Sequence, residues 1–374
     1  MKSEIATLQD FVKAWQKKHR QKFHTPKKVN VLTGIYPLDF VLYNGITLGH
    51  FYHFWGKENT YKTTTMYYII ASLQSICRNC YKRQEACKCK SKEPMHILYI
   101  STENKVDEEY MKSLGVKVDS PQFEILSWGD IRDISLLVEE AIEKEILDVI
   151  VVDSIAQFLT GEEGDDIEAE AIAIKARYMR RLIDAWQAAR FRISRPVTFF
   201  FINQVRQDVQ SAGYARSGYI TPLGHAVKHA SSVKVKFEVV KRQGVGGERG
   251  KRYFELRRVV RLTNQKSQVA PSGRGDFLEF QVQTAGLYRT SEIVNNTARL
   301  FSDAKKLGLI KKTASYEVLG EKFSTLDELK MKLQNDNLFF CKLEEEVLKT
   351  VNRLSVEQLV NVDSSLLKEE EPDE

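Results

Sequence analysis

Between residues 49 and 76 an apolar strand, a polar loop and a helix follow one another, and this order limits the fold more than any other feature. The run GHFYHFW leads into GKENTYKT (56–63), and a helical pattern continues to Ile76. The loop nearly matches G-x-x-x-x-G-K-[ST], whose backbone N–H groups bind phosphates at a helix N-terminus. The sequence therefore predicts an α/β fold that binds a nucleoside triphosphate.

Two side chains of this loop have predicted roles beyond those of the backbone. Lys62 is expected to neutralise the β- and γ-phosphate oxygens, and the hydroxyl of Thr63 is expected to bind Mg²⁺. The predicted nucleotide contacts cover the whole loop and the next helical residue: Gly56, Lys57, Glu58, Asn59, Thr60, Tyr61, Lys62, Thr63 and Thr64.

Tyr61 is a departure from the pattern, because it stands where the second glycine belongs. A glycine at that position lets the backbone approach the phosphates without a Cβ atom in the way. Tyr61 fits a working loop only if its side chain points away from the phosphates. The alternative is a degenerate loop, and the other polar residues of the site favour the working one.

Three further apolar runs end in polar residues, and we interpret them as parallel strands. HILYIS is followed by Glu103 after two residues, LDVIVV by Asp153 and PVTFFFI by Gln204 after one. Glu103 is predicted to orient the attacking water, Asp153 to support Mg²⁺ and Gln204 to sense the γ-phosphate. A single acid at a strand end is usually a helix cap. Three polar strand ends beside one phosphate loop predict a shared site.

The rest of the chain divides by pattern. Helical stretches (63–76, 130–144 and 172–190) alternate with the parallel strands, and then the texture becomes antiparallel from VKVKFEV to DFLEFQV around the turn RQGVGGERGKR. We predict an N-terminal helical arm with Leu8, Phe11, Val12 and Trp15 at helical spacing. The predicted units are the arm (1–29), an ATPase-like core (30–285) with a cysteine insertion (77–95), a small helical domain (286–360) and a disordered acidic tail (361–374).

Charge is distributed unevenly. The last 14 residues hold six acids and one lysine, so about +11 of the total charge of +6 falls on the first 360 residues. This asymmetry favours a polyanion partner, although a solubilising tail on a basic protein explains it too. The chain has no apolar run of 18 residues and no signal-peptide pattern at its start. We therefore expect a cytoplasmic protein with no membrane partner.

Four of the five cysteines lie within 13 residues, at Cys77, Cys80, Cys87 and Cys89. In a reducing compartment this crowding favours a closed, structural Zn²⁺ site with four thiolates. Free thiols and a redox role are the alternatives. Basic residues flank the cluster, so the insertion either contacts DNA or a partner, or is simply a solvated basic surface.

Together these motifs resemble the RecA family of DNA recombinases, of bacterial or phage type, from about residue 30 to 345. The similar segments are Leu32-Thr33-Gly34, Pro37-Leu38-Asp39, the loop 56–63, Glu103 with Asp107 and Tyr110, Leu114-Gly115-Val116, LDVIVVDS, FINQVR, Gly224 and Lys228. The cysteine insertion has no counterpart in the common bacterial form. The resemblance implies a P-loop NTPase core with a mostly parallel sheet, an antiparallel extension and a small helical C-terminal domain.

The resemblance also implies roles for individual residues. Glu103 would be the catalytic carboxylate, with Lys62 and Gln204 as its partners in catalysis. Tyr110 would stack on adenine, and Lys266 would reach the ATP of the neighbouring subunit. His229 stands where the family commonly has an aromatic relay residue.

Two DNA-binding loops follow from the same resemblance. The second, about 205–223, contains two arginines and two tyrosines, which suits a mobile element that holds single-stranded DNA. The first would be about 160–171. The predicted DNA contacts are Arg206, Val209, Tyr214, Arg216, Gly224, Ile172 and Arg177.

The implied function is ATP-dependent pairing and strand exchange by a helical homopolymer on single-stranded and double-stranded DNA. Single-strand-binding and mediator proteins are further candidate partners, and the aromatic residue at position 61 is consistent with a phage origin. The alternatives are a ring helicase built on the same core, and a non-catalytic nucleotide-gated DNA filament or mediator. Tyr61 favours the non-catalytic alternative, whereas Glu103 opposes it.

Overall fold

The computed structural model of the protein describes residues 7–19, 28–102, 106–127, 130–155, 168–207, 219–220, 227, 230–246, 253–285 and 288–354. Its helices are α1 (Leu8–His19), α2 (Tyr36–Val41), α3 (Lys62–Leu73), α4 (Glu108–Ser113), α5 (Ile131–Glu143), α6 (Glu168–Arg192), α7 (Asn296–Lys306), α8 (Leu326–Asn335) and α9 (Asn337–Val351).

The strands form one large sheet and three small ones. The parallel part of the large sheet contains β3 (Phe51–Gly56), β4 (Ile97–Ser101), β5 (Phe123–Ser127), β6 (Val149–Asp153) and β7 (Thr198–Gln204). Its extension contains β10 (Val233–Gly246), β11 (Tyr253–Ser267), β12 (Gly275–Ala285) and β13 (Tyr288–Ile293). The short strands are β1 (Asn30–Val31), β2 (Ile46–Thr47), β8 (Arg206–Gln207), β9 (Tyr219–Ile220), β14 (Lys311–Lys312), β15 (Tyr316–Val318) and β16 (Glu321–Phe323).

The large sheet has the order β13-β12-β11-β10-β3-β7-β6-β4-β5. The strands from β10 to β5 pair in parallel, whereas β10, β11, β12 and β13 pair antiparallel with one another. The predicted α/β fold, a mostly parallel sheet with an antiparallel extension, is confirmed. It places β3, β6 and β7 side by side in the middle of the sheet.

Burial on both faces explains why the central strands are almost wholly apolar. All five residues of β4 are buried, as are six of the seven residues of β7. Helix α3 covers one face, and its Ile69 and Ile70 are completely buried there. On the other face Trp186 of α6 stacks on Phe199, with ring centroids 5.1 Å apart. Each such side chain contributes about 1.5–3 kcal/mol to folding.

Side-chain caps fix where several helices begin. Asp107, Asp130 and Asp336 accept hydrogen bonds from backbone N–H groups in the first turns of α4, α5 and α9. Thr325 and Glu328 form a capping box at α8, because Thr325 accepts from the N–H of Glu328 and Glu328 accepts from that of Ser324. These polar residues therefore act locally and need no functional explanation.

The structure differs from the sequence prediction in the antiparallel part and after it. Strand β10 continues to Gly246 through the segment that we predicted to be a turn, because its ladder with β11 is maintained across β-bulges. The segment after residue 286 is not purely helical, since β13 pairs with β12 and β14, β15 and β16 form a sheet of their own.

The C-terminal helices pack on α2. The hydroxyl of Tyr36 donates to Asp303 at 2.6 Å, and the N–H of Tyr36 donates to the side-chain oxygen of Asn296 at 2.7 Å. Tyr36 also lies in an apolar cluster with residues of α7, α8 and α9. Among the described residues, no helix has both the length and the apolar character needed to cross a bilayer.

Candidate nucleotide-binding site

The sheet brings the loop 56–63 and two of the predicted polar strand ends to one edge. Gly56 at the end of β3 is in register with Gln204 at the end of β7, and Gly56 accepts a hydrogen bond from the N–H of Val205 at 3.2 Å. Asp153 ends β6, which pairs with the other side of β7. Parallel strands end at the same edge, which explains this arrangement. Glu103 lies outside the described residues.

The hydroxyl of Thr63 donates to a carboxylate oxygen of Asp153 at 2.7 Å. The same oxygen accepts from the hydroxyl of Tyr99 at 2.9 Å. Burial and the Asp153 charge raise the pKa of Tyr99, so its phenol stays protonated and keeps donating. A hydroxyl and a carboxylate this close form the oxygen pair that Mg²⁺ uses beside a triphosphate. The donor set therefore fits the ion.

Lys62 lies at the centre of the loop. Its ammonium donates to the carbonyl oxygens of Lys57 at 2.7 Å and Gly56 at 3.2 Å, and to the hydroxyl of Thr60 at 3.1 Å. The side chain is almost fully buried, although its charge makes burial costly. The loop thus holds a desolvated cation at the N-terminus of α3, where an anion is also favoured by the helix dipole.

The backbone of the loop explains one glycine of the motif and the strain at the other position. A Cβ on Gly56 would lie 2.2 Å from the carbonyl oxygen of Phe237, so only glycine fits between β3 and β10. Tyr61 has φ 59° and ψ 27°, the left-handed conformation for which glycine is usually selected. An ordinary residue in this conformation costs about 1–2 kcal/mol.

The ring of Tyr61 packs against the antiparallel extension. It stacks on Phe280 with a centroid distance of 4.3 Å and an interplanar angle of 8°. The guanidinium of Arg258 lies 5.0 Å from the centre of the same ring and donates to the carbonyl oxygen of Asn59 at 2.6 Å. Glu255 holds Arg258 through two bonds of 2.5 and 2.6 Å. The ring therefore makes contacts outside the ring of oxygens around Lys62.

Arg258 and Phe280 are residues that the sequence analysis missed. Both belong to strands remote from the loop in sequence, and neither has a motif of its own. The charged surroundings of Arg258 in LRRVVRL gave no signal, because only the pairing of β11 and β12 beside β3 brings it to the loop.

Replacing Tyr61 by glycine is expected to lower stability and to leave nucleotide binding intact. The change relieves about 1 kcal/mol of backbone strain but removes a stacked, partly buried ring worth more than that. The net loss should be about 1–2 kcal/mol, read from urea unfolding. Phe280→Leu is the control, because it weakens the same stack without touching the loop backbone. Loss of nucleotide binding by Tyr61→Gly alone would contradict this account.

Tyr110 and Lys266 lie at different distances from this site. The hydroxyl of Tyr110 hydrogen-bonds the hydroxyl of Thr64 at 2.9 Å, which places the ring beside the start of α3. It also meets Tyr67 edge-on. Lys266 lies in β11, opposite Lys234 of β10. Its predicted contact with a neighbouring subunit stays a prediction.

The predicted DNA-binding residues are only partly described. Arg206 begins β8, which pairs with β9 through Arg206–Ile220 and Gln207–Tyr219. The loop 205–223 therefore has a short ladder at its base and is not structureless throughout, as we had predicted. Helix α6 begins at Glu168, inside the predicted first loop, and carries Ile172 and the exposed Arg177. Four other predicted residues, and two noted in the resemblance, lie outside the described residues: Val209, Tyr214, Arg216, Gly224, Lys228 and His229.

The four cysteines of the insertion converge. Their sulfur atoms all lie within 4.8 Å of one another, and the Cys80 and Cys87 sulfurs are 3.4 Å apart. Sulfurs about 2.3 Å from a tetrahedral ion are about 3.8 Å from one another, so the spacing fits four-thiolate coordination. The backbone N–H of Cys89 also points at the Cys87 sulfur, at 3.3 Å. Cys77 and Cys87 are buried.

The segment 77–95, called here the cysteine knuckle, connects the end of α3 to the start of β4. It therefore lies at the amino-terminal edge of the parallel strands, opposite the nucleotide loop. Arg78 fastens it there through an ion pair with Asp148 of 2.9 Å and a hydrogen bond to the carbonyl oxygen of Glu145 of 2.9 Å. This distance from the loop gives the knuckle a structural and not a catalytic position.

The fold and the loop define the class of protein. A mixed sheet with a phosphate loop after β3, a carboxylate after β6 and an amide after β7 is the core of a P-loop NTPase.

Sequence comparisons then identify the family. The model of the RecA N-terminal domain matches residues 6–272, so the chain belongs to the RecA family. It is similar to Protein RecA of Acholeplasma laidlawii strain PG-8A, with 25% identity over 320 residues that cover 84% of this chain and 85% of that protein. Protein RecA of Lactococcus lactis subsp. cremoris strain MG1363 is 26% identical over 297 residues, 78% and 67% of the two chains. That of Sulfurimonas denitrificans is 24% identical over 350 residues, 88% and 89%.

Proposed function

We propose that this protein is a DNA-dependent ATPase that forms a helical filament on single-stranded DNA and catalyses homologous pairing and strand exchange. The observation that carries the proposal is the position of Gln204. This residue is in register with Gly56 of the phosphate loop and lies directly before β8. One side chain thus connects the nucleotide site to the candidate DNA-binding loop.

At the nucleotide site each described residue has a definite task. Lys62 would leave its loop oxygens to neutralise the phosphate charge, and the N–H groups at the start of α3 would hold the same oxygens. Thr63 and Asp153 would hold Mg²⁺, which stabilises the charge that develops during phosphoryl transfer. Glu103 is proposed as the base that orients the attacking water, and Tyr110 as the side chain that stacks on adenine.

Coupling to DNA would pass through the base of the loop 205–223. The ladder between β8 and β9 closes this loop directly after Gln204. A γ-phosphate that engages the amide of Gln204 would thereby favour one arrangement of the ladder and of Arg206 beside it. Hydrolysis would remove that contact and release the DNA.

Polymerisation needs a surface on each subunit, and α1 offers one. Its Leu8, Phe11 and Val12 are 78%, 48% and 37% exposed, an unusual state for three apolar side chains of one helix. We propose that this stripe packs on a neighbouring subunit, so that ATP lies between subunits and Lys266 reaches it from the next one. Double-stranded DNA, single-strand-binding proteins and mediators are the proposed further partners, in the cytoplasm.

For the cysteine knuckle we propose one Zn²⁺ bound by Cys77, Cys80, Cys87 and Cys89. The convergence of four sulfurs supports it, and four protein ligands close the coordination shell, so the ion would be structural.

The test is ATP hydrolysis with and without single-stranded DNA, with electron microscopy of the same samples. DNA should stimulate hydrolysis, filaments should form, and raising the salt concentration should weaken DNA binding steeply. Gln204→Ala should still bind nucleotide but lose most of the DNA stimulation. Gln334→Ala is the control, because it removes an exposed glutamine of the C-terminal domain.

Other outcomes would select the alternatives. Filaments without hydrolysis would indicate a nucleotide-gated mediator, and rings with unwinding activity would indicate a helicase. Hydrolysis that ignores DNA in both Gln204→Ala and the unaltered protein would contradict the proposal as a whole.

A further inference from the structure

Arg83 is the residue of the cysteine knuckle that faces the rest of the protein. It lies between Cys80 and Cys87 in sequence and forms a β-bridge with Ile76 at the end of α3. Its guanidinium donates to the hydroxyls of Ser75 at 3.0 Å and Ser72 at 3.4 Å. The knuckle and α3 thus hold this side chain in one direction.

That direction is the junction between the core and the C-terminal domain. A Cβ built on Gly34 would be 3.2 Å from the Arg83 guanidinium, so the cation lies against the segment that precedes α2. The α2 residue Asp39 and the α9 residue Glu344 are both completely buried there. Two buried carboxyl groups with a cation beside them form the polar centre of this junction.

The hydrogen bonds decide which of the two carboxyl groups is charged. Asp39 accepts from the N–H groups of Thr33 and Gly34 and from the Thr33 hydroxyl, at 2.9–3.2 Å. No hydroxyl or N–H donor among the described residues reaches the oxygens of Glu344. Burial and the charge of Asp39 raise the pKa of Glu344, so Glu344 is protonated and donates to Asp39.

Asp39 is therefore a buried anion that receives a helix of the C-terminal domain. Burial raises its pKa to about 6, against the lowering effect of its hydrogen bonds to Glu344 and Thr33 and of the Arg83 charge. A buried anion needs a counter-charge, and Arg83 is the one that its surroundings provide. Cys341 on α9 also lies within reach of the Arg83 guanidinium.

We infer that the cysteine knuckle is a metal-dependent clasp between the ATPase core and the C-terminal domain, acting through Arg83. Metal binding fixes the segment between Cys80 and Cys87, the segment fixes Arg83, and Arg83 balances the Asp39 carboxylate on which Glu344 of α9 docks. The inference rests on the proposed zinc site. It assigns the knuckle a partner within the chain, whereas the sequence left DNA, another protein or solvent open.

The test is hydrogen exchange of the full chain at neutral pH, after metal analysis of the purified protein. Arg83→Met removes the charge but keeps an unbranched side chain, and Lys82→Met is the control, because Lys82 is the exposed neighbour. Exchange of α9 should accelerate at least about tenfold in Arg83→Met and also after zinc removal by a chelator, whereas Lys82→Met should match the unaltered protein. Chelation of Arg83→Met should add nothing further on α9, since both changes break the same contact.

The possible failures are distinguishable. A chain that purifies without bound zinc and does not take it up would overturn the zinc site and the metal-dependent clasp together. Zinc bound at one ion per chain, with α9 exchange unchanged in Arg83→Met, would overturn the clasp alone. Chelation that affects only residues 77–95 would do the same. Exchange of the loop 56–63 should stay unchanged throughout, which checks that the core remains folded.

Discussion

Lys62→Ala is expected to reduce kcat for ATP hydrolysis by about 10²–10³-fold, the effect of removing one preorganised group that stabilises developing charge. The ammonium is buried and lies within 3.2 Å of three oxygen atoms of the loop, so no other described lysine can take its place. Alanine also removes a desolvated charge, which offsets the hydrogen bonds lost. The fold should therefore persist while turnover disappears.

The measurement is steady-state hydrolysis with single-stranded DNA, together with thermal unfolding of each variant. Lys57→Ala is the matched control, because Lys57 is an exposed lysine of the same loop and only its carbonyl oxygen contacts Lys62. Its activity should stay close to that of the unaltered protein. Equal losses in the two variants would mean that charge in general, and not the position of Lys62, drives the reaction.

The nucleotide site could be predicted because its signal is local. The strand, loop and helix around Lys62 are continuous in sequence, and an apolar run followed by Asp153 or Gln204 is enough to place both at one sheet edge. Tyr61 could be predicted only in part. The sequence required its ring to lie away from the phosphates, but the stack on Phe280 and the contact with Arg258 depend on strands that lie about 200 residues later.

The cysteine knuckle shows the same division. Cysteine spacing was sufficient to predict convergence of the four sulfurs, since all four lie in one short segment. The position of the knuckle at the domain junction depends on Asp39 and Glu344, which are far apart in sequence and carry no motif. Strand β10 was predicted too short for another reason, because glycines within RQGVGG indicate a turn unless a bulged ladder continues through them.

Asp148→Ala is expected to destabilise the protein by about 3–5 kcal/mol, the effect of leaving a buried charge without its partner. Asp148 pairs with Arg78 at 2.9 Å and also accepts from Arg195 at 3.4 Å and from the N–H of His96 at 2.8 Å. Only 3% of Asp148 and 7% of Arg78 are exposed, so water cannot replace the lost carboxylate.

Urea unfolding of three variants separates the charge effect from a simple cavity. Asp148→Ala should lower the midpoint strongly. The double variant Arg78→Met with Asp148→Leu should recover much of the loss, because it removes the buried cation along with the anion and refills the space. Glu140→Gln breaks a solvent-exposed pair with Lys144 and should leave the midpoint unchanged. Equal destabilisation in the single and double variants would mean that packing, and not the unpaired guanidinium, holds the knuckle to the sheet.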